Sequence, residues 1–264
     1  MNLELDGKRA IITGGSRGIG KSIALSMAME GANVSICSRD IASLSSAASE
    51  IRKLSGNTVH FETADTTSTD SVQSFVNSAV KELGGIDILV NNAAAPGGLV
   101  MGPLDTADPD ELLADIDTKV VGYLRVAKAT TPFMKKQKWG RIINIGGLAA
   151  RSGGAISGMR NIALTHFTKT LSNQLGPHGI TVNIVHPGAT RTERTGPLQE
   201  AQARKSGQSV EEIELRTSSG LDIRRVVESE EIANLVTFLA SEKASAITGE
   251  SIAAGGGAGT AVFS

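Results

Sequence analysis

The strongest chemical signal in this chain is a group of glycines at fixed spacing, in the run Thr-Gly-Gly-Ser-Arg-Gly-Ile-Gly that begins at Thr13. The run follows a short apolar stretch and leads into an amphipathic one. Gly14 permits a tight turn, while Gly18 and Gly20 let backbone N–H groups and a helix dipole approach phosphates closely. This order predicts a site for the pyrophosphate of a dinucleotide. The residues of the turn that we expect at the cofactor are Gly14, Ser16, Arg17, Gly18, Ile19 and Gly20.

A second signal stands about 20 residues beyond the glycines, where an acidic residue favours NAD and an arginine accommodates the 2′-phosphate of NADP. The chain has Ser38 and Arg39 there, and Arg17 lies inside the glycine turn. Two guanidinium groups can bind one phosphate through charge-assisted hydrogen bonds. Asp40 offers an alternative as a ligand of the ribose hydroxyls, although its position favours capping the next helix. We therefore predict NADP(H) rather than NAD(H).

Composition narrows the class of protein. The chain has 264 residues, 40% of them hydrophobic, and a formal net charge of −1. Without a basic stripe, neither nucleic acid nor an anionic membrane is an expected partner. The lone Cys37 suits a reducing compartment, and no apolar run reaches the ~20 residues that span a bilayer. We expect a cytoplasmic protein that binds a small-molecule substrate and, lacking a His/Cys/Asp cluster, no metal.

Short β-rich runs alternate with longer helical stretches along the chain. Because these runs are almost continuously apolar, they are typical of strands buried on both faces of a parallel sheet. The pattern predicts an α/β fold of the Rossmann type, a doubly wound parallel sheet of about seven strands with helices on both faces, formed as a single domain over residues 1–264. The expected strands are 10–13, 33–38, 58–63, 86–91, 141–145, 181–186 and 251–254.

Helix boundaries are also readable. Asp108 followed by Pro109 predicts a helix N-terminus, and the acidic residues after Ser229 predict another. Glycines mark expected helix ends. They are Gly31, Gly56, Gly84 and Gly85.

Residues 190–225 interrupt the alternation of strands and helices. The segment is polar, with only a modest helical pattern at residues 210–215. It is either a solvated excursion or a lid over the cofactor crevice, and its place in the chain favours the lid.

These motifs, in this order, resemble the short-chain dehydrogenase/reductase family over residues 5–257. The glycine turn matches the family's Thr-Gly-x-x-x-Gly-x-Gly, and Asn91-Asn92-Ala93-Ala94 resembles its Asn-Asn-Ala-Gly stretch. The resemblance implies further cofactor contacts. They are Asp65 at the adenine, Asn92 and Ala93 after the fourth strand, and Pro187, Gly188 and Thr190 near the nicotinamide.

The family's catalytic residues are not found at the matching positions. Its active-site helix carries Tyr-x-x-x-Lys, but Tyr123 is the chain's only tyrosine and Ala127 stands four residues later. Alignment on Phe167-Thr168-Lys169 places Ser157 at the tyrosine and Asn161 at the lysine. The family's serine position falls at Gly147, and its asparagine position falls at Lys119.

These replacements remove the usual proton donor. Protonation of the oxyanion left by hydride addition is normally the task of a tyrosine whose pKa a nearby lysine lowers. Serine is a far weaker acid and asparagine carries no charge, so we expect the usual route of ketone reduction to be severely impaired. The candidate catalytic residues are Lys119, Ser157 and Asn161.

Lys119 has two interpretations. Helical spacing places it beside an apolar stripe, where desolvation lowers a lysine pKa toward that of a useful general acid. Alternatively it is a surface lysine whose stem covers apolar neighbours. Ser157 either orients a substrate or a water, or is merely tolerated in its helix.

Other polar residues carry weaker signals. We expect structural pairing for Arg160, packing on a helix face for His166, and mainly backbone contacts at His186, which precedes a proline.

The expected pocket walls are residues 94–101, residues 147–157 and the lid. By family resemblance, helices at residues 108–138 and 157–175 form the interface of a homotetramer or homodimer.

The sequence therefore predicts an NADP(H)-dependent oxidoreductase that acts on a small or apolar carbonyl or alcohol with a non-standard proton donor. Two alternatives remain open at this point. One is a non-redox isomerase, cyclase or lyase on the same fold, and the other is an inactive NADP-binding protein.

Overall fold

The computed structural model describes residues 2–95, 100 and 103–260. Seven strands form one parallel sheet in the order β3-β2-β1-β4-β5-β6-β9. Their bounds are β1 Arg9–Thr13, β2 Asn33–Ser38, β3 Val59–Thr63, β4 Ile88–Asn91, β5 Gly140–Ile145, β6 Ile180–Pro187 and β9 Ser251–Ala254. Two short strands, β7 Thr190–Arg191 and β8 Val227–Glu228, pair with each other outside this sheet. The predicted doubly wound parallel sheet is confirmed.

Burial in the sheet explains why apolar runs in the sequence predicted the strands. Every residue of β4, β5 and β6 is buried, because helices cover both faces of the central strands. The edge strands differ from expectation. β3 and β9 are largely half-buried or exposed, because each has a partner on one side only.

Helices cover both faces of the sheet. One layer contains α1, α2 and α9, and the other contains α3, α5 and α6. The helix bounds are α1 Gly18–Met29, α2 Ile41–Ser55, α3 Thr69–Leu83, α4 Pro109–Ile116, α5 Gly122–Gln137, α6 Met159–Leu175, α7 Thr195–Ser206, α8 Val210–Ser219 and α9 Ser229–Leu239.

Caps fix the helix ends where the sequence predicted them. The Asp40 carboxylate accepts from the N–H groups of Ala42 and Ser43 at the start of α2. Asp108 caps α4, with Pro109 in the first turn. Gly56 and Gly84 end α2 and α3 in the left-handed conformation.

The helix expected over residues 108–138 is interrupted. A wide π-turn, Asp117–Val121, lies between α4 and α5. Such a turn holds one residue more than an α-helical turn, and it leaves carbonyl groups open to side-chain donors. Thr66 Oγ1 donates to the Thr118 carbonyl at 3.2 Å. Hydrophobic periodicity did not indicate this feature.

Residues 190–225 contain two helices rather than the modest helical pattern expected. α8 begins with a capping box, in which Ser209 and Glu212 each accept from the other's backbone N–H. The sequence did not predict α7, because none of its residues is buried and it therefore has no apolar stripe.

Among the described residues, no helix has the length and apolarity needed to cross a bilayer, and no group of three His, Cys, Asp or Glu side chains is placed to hold a metal ion. Leu124 on α5 and Ile162 on α6 are about half exposed. The predicted assembly through these helices stays a prediction.

A buried ion pair joins α4 to α6. Arg160 contacts Asp115, and the two residues are only 5% and 2% exposed. Burial lowers the pKa of Arg160 to about 10. The structural pairing expected for Arg160 is confirmed, and the pair links α4 to α6.

Because loss of one partner leaves a buried charge uncompensated, we expect Arg160→Met to lower the free energy of unfolding by about 3–5 kcal/mol. Urea denaturation followed by circular dichroism measures this. The exposed Lys53→Met serves as the control, and the double variant Arg160→Met/Asp115→Leu should regain most of the loss. Equal stability of Arg160→Met and the control would contradict this role.

Candidate active site

A cleft of about 360 Å³ opens at the carboxyl ends of β1 and β4, where the strand order changes direction. Open α/β sheets bind ligands at such a switch point. Of the fourteen predicted cofactor residues, the cleft is lined by Gly14, Ser16, Arg17, Gly18, Ile19, Gly20, Ser38, Arg39, Asp65, Asn92 and Ala93. Lining residues that the sequence did not indicate for the cofactor include Ser43, Thr66, Ala95, Thr118 and Arg194.

Hydrogen bonds across β1 and β4 hold the glycine turn. Thr13 Oγ1 accepts from the N–H groups of Asn92 and Ala93 at 2.9 and 3.0 Å. The Asn92 amide donates to the carbonyls of Thr13 and Gly14 at 3.0 and 3.1 Å. These bonds engage carbonyl groups of the turn, and the N–H groups of Gly14 and Gly15 donate to the Cys37 carbonyl at 2.8 and 3.1 Å.

The geometry of the turn fits a bound anion. A Cβ on Gly20 would lie 2.3 Å from the Gly14 carbonyl oxygen, so only glycine permits this close approach. The Gly18 N–H donates to a carboxylate oxygen of Glu193 at 2.7 Å. That oxygen stands in for a phosphate oxygen, since both are anionic acceptors at a helix N-terminus.

The lining of the cleft also includes cationic and acidic side chains. Arg17 and Arg39 are exposed and both line the cleft. Asp65 accepts from the N–H and hydroxyl of Thr67 at 2.9 and 2.8 Å. These bonds, the backbone one foremost, lower the pKa of Asp65 and keep it ionised. Asp40 is engaged in capping α2, which supports the interpretation that it is not the ribose ligand.

Three predicted cofactor residues lie outside this cleft. Pro187 ends β6, and Gly188 packs on the backbone of Gly255, where a Cβ would meet its Cα at 2.8 Å. Thr190 donates to the Gly188 carbonyl. Their contact with the nicotinamide stays a prediction. Within the expected wall at residues 94–101, residues 96–99 and 101 lie outside the described part of the chain.

Lys119 points inward from the π-turn and is 4% exposed, so the surface interpretation is wrong. Its Nζ donates to the Gly146 carbonyl at 2.8 Å, directly after β5. Burial lowers the pKa of Lys119 to about 8. An ammonium with this pKa can donate a proton near neutral pH.

Ser157 and Asn161 are also fully buried. The Oγ of Ser157 accepts from the Val100 N–H at 2.7 Å, so its own proton remains for donation. Asn161 Oδ1 has no hydrogen-bond partner among the described residues, and its Nδ2 lies 3.2 Å from where a Cβ on Gly147 would stand. Asn161 thus lies beside the segment that holds Lys119, whereas Ser157 contacts Val100.

The expectation of mainly backbone contacts at His186 is wrong. Rather than offering mainly backbone, its buried imidazole contacts Gly147 through Nδ1 and Thr165 through Nε2. Tyr123 is fully buried, and its hydroxyl donates to the Ile145 carbonyl at 3.0 Å, as expected of a core residue. His166 is exposed on α6.

Known proteins share this architecture. A family model described as enoyl-(acyl carrier protein) reductase matches residues 14–259. The NADPH-dependent reductase BacG of Bacillus subtilis is 35% identical over 95% of this chain and 97% of its own length. The 3-oxoacyl-[acyl-carrier-protein] reductase FabG of Aquifex aeolicus is 33% identical over 97% of this chain and 99% of its own. The structure of L-sorbose reductase from Gluconobacter frateurii, complexed with NADPH and L-sorbose, superposes with a TM-score of 0.92 at 28% identity, covering 97% of this chain and 98% of that one.

The glycine turn at a switch point, the parallel seven-stranded sheet and these matches over nearly the full length lead to one conclusion. The chain belongs to the short-chain dehydrogenase/reductase family.

Proposed function

We propose that this protein is an NADPH-dependent reductase of small or apolar carbonyl compounds in which Lys119 donates the proton. The observation that carries the proposal is a buried ammonium with a lowered pKa beside a cleft built for a dinucleotide. The NADPH dependence of the related reductase and sorbose reductase structure supports the choice of cofactor.

Charge supports NADP(H) over NAD(H). The N–H groups of the glycine turn would hold the pyrophosphate, and Arg17 and Arg39 would bind the 2′-phosphate beside Ser38. Asp40, the acidic residue after β2, is engaged in capping α2, which supports Arg39 rather than an acid as the ligand near the ribose.

We expect Arg17→Ala/Arg39→Ala to weaken NADPH binding about 10- to 100-fold and to leave NADH binding nearly unchanged, since charge-assisted bonds contribute roughly 1.5–3 kcal/mol. Titration calorimetry at one fixed salt concentration measures both affinities. Lys53→Ala/Lys81→Ala, which also removes two charges but from the exposed ends of α2 and α3, is the matched control. Equal losses for the two cofactors would contradict this assignment.

Three buried side chains divide the proposed chemistry. The nicotinamide of NADPH, when bound, would supply a hydride. Ser157 donates a hydrogen bond that orients the carbonyl oxygen, because its own oxygen is held by Val100. Lys119 has protons to spare beyond the one given to Gly146, and it protonates the developing oxyanion. Asn161, with an unpartnered buried oxygen, positions a hydroxyl group of substrate or cofactor.

A panel of small ketones, monitored by loss of NADPH absorbance, tests the activity. Because Lys119 must be protonated to act as an acid, we expect kcat to be high below pH 8 and to fall as pH rises through about 8. Lys119→Met should lower kcat by about 10²–10⁴ and abolish this limb of the profile.

The exposed Lys128→Met on α5 is the matched control and should keep both rate and profile. Burial disfavours the Lys119 ammonium, so its replacement by methionine should not reduce stability, and lost activity cannot then be attributed to unfolding. No turnover with any ketone, or an unchanged pH profile in Lys119→Met, would overturn the proposal.

We infer that residues 190–225 act as a lid. Thr192 and Arg194 line the cleft, and Glu193 between them bonds to the glycine turn. The pyrophosphate and the Glu193 carboxylate would therefore compete for the Gly18 N–H.

Removal of that competing charge should tighten cofactor binding. We expect Glu193→Gln to raise NADPH affinity about two- to fivefold, the size of a charge effect of roughly 0.3–1 kcal/mol at a helix N-terminus. Fluorescence titration measures it, with Glu200→Gln on α7 as the control. Weaker binding by Glu193→Gln would show that the carboxylate does not compete.

A further inference from the structure

The buried imidazole of His186 lies against the backbone segment that holds Lys119. Its Nδ1 is 3.0 Å from the Gly147 nitrogen and 3.1 Å from the Gly147 oxygen, and its Nε2 is 3.1 Å from Thr165 Oγ1. The preceding residue, Gly146, accepts from Lys119 Nζ. Because the Gly146 C=O and the Gly147 N–H form one peptide group, His186 contacts the same peptide that binds the ammonium.

The hydrogen bonds select one tautomer. Thr165 Oγ1 donates to the Asn161 carbonyl at 3.0 Å, so His186 Nε2 must carry a proton to bond with that hydroxyl. Nδ1 of the neutral ring then accepts from the Gly147 N–H. This arrangement satisfies all three donors, whereas the other tautomer leaves the Gly147 N–H unbonded.

The ring also fills the space beside Gly146. A Cβ on Gly146 would lie 2.4 Å from Nδ1 and 2.6 Å from Cε1 of His186. The imidazole packs directly on the backbone of Gly146. Only glycine at position 146 permits this contact, because any side chain would overlap the ring. The position of the Gly146 carbonyl is therefore set jointly by β5 and by this ring.

We propose that His186 is a positioning residue for Lys119, whose neutral ring fixes the Gly146–Gly147 segment so that the Gly146 carbonyl holds the ammonium. This inference rests on the proposed function, in which Lys119 is the proton donor.

The charged and titratable groups near Lys119 are bonded to other partners. The Gly146 carbonyl is therefore the principal group that stabilises the Lys119 ammonium. Asp115 of α4 and Arg160 of α6 pair with each other, and Tyr123 of α5 donates to a carbonyl. Asp117, in the same π-turn, pairs with Arg125 of α5. Arg151, after β5, donates to the Ser251 carbonyl, and its charge disfavours other cations nearby.

Two substitutions of different chemistry test the inference. His186→Asn places Oδ1 where Nδ1 stands and keeps an acceptor for the Gly147 N–H, whereas His186→Leu keeps the volume without an acceptor. Release of the Gly146 carbonyl removes a bond to the charged form of Lys119 and so lowers its pKa. We expect the high-pH limb of kcat to move down by roughly one pH unit in His186→Leu and to stay in place in His186→Asn.

An unshifted limb in His186→Leu, or an equal shift in both variants, would overturn the positioning role while leaving Lys119 as the acid. Retention of the limb in Lys119→Met would instead overturn the proposed function.

If His186→Leu fails to fold, a measurement that needs no turnover tests the positioning role of His186. In the unmodified protein labelled with ¹⁵N-histidine, NMR should show His186 as the Nε2–H tautomer from pH 6 to 8. The Nδ1–H tautomer, or a protonated ring in this range, would overturn the inference.

Discussion

The Asn92 side-chain amide holds the glycine turn against the end of β4, and the shape of the cleft depends on this contact. With its carbonyls bonded to Asn92 and its first N–H groups bonded to the Cys37 carbonyl, the turn has little freedom. A Cβ on Gly20 would also meet the same amide, at 2.4 Å. The turn, the strand end and the first helix are thus packed as one unit around an anion site.

Cations have opposite environments at the two ends of the site. Arg17 and Arg39 are exposed, so they retain full charge at little cost and suit recognition of a phosphate. Lys119 is buried with a single backbone acceptor, so its charge is disfavoured and its proton is easily given up. Exposure to water therefore suits the phosphate-binding role that we propose for the two arginines, and burial suits the proton-donor role that we propose for Lys119.

The sequence predicted those features that depend on local patterns. Apolar runs located the seven strands to within two residues at each end, and the spacing of glycines located the cleft. Asp40 and Asp108 predicted the starts of α2 and α4, because an N-cap bonds only to residues that follow it closely in the chain. α7 was missed because it buries no residue, and the edge strands were expected to be more buried than they are.

Features that depend on distant contacts could not be predicted. His186 faces Gly147 only because β6 pairs with β5 and because Gly146 has no side chain in the way. Helical spacing left the burial of Lys119 as one of two interpretations, but it did not indicate the π-turn that carries Lys119 or its bond to the Gly146 carbonyl.

That π-turn also has a mechanical consequence. Its Thr118 carbonyl is tied to Thr66, which follows the strand end where Asp65 lines the cleft, and Gly122 packs on the same threonine. The peptide unit bearing Lys119 is thus braced against the wall expected to receive the adenine ring, about fifty residues earlier in the chain. One hydrogen bond therefore connects the wall that we expect at the adenine with the turn that carries the acid we propose.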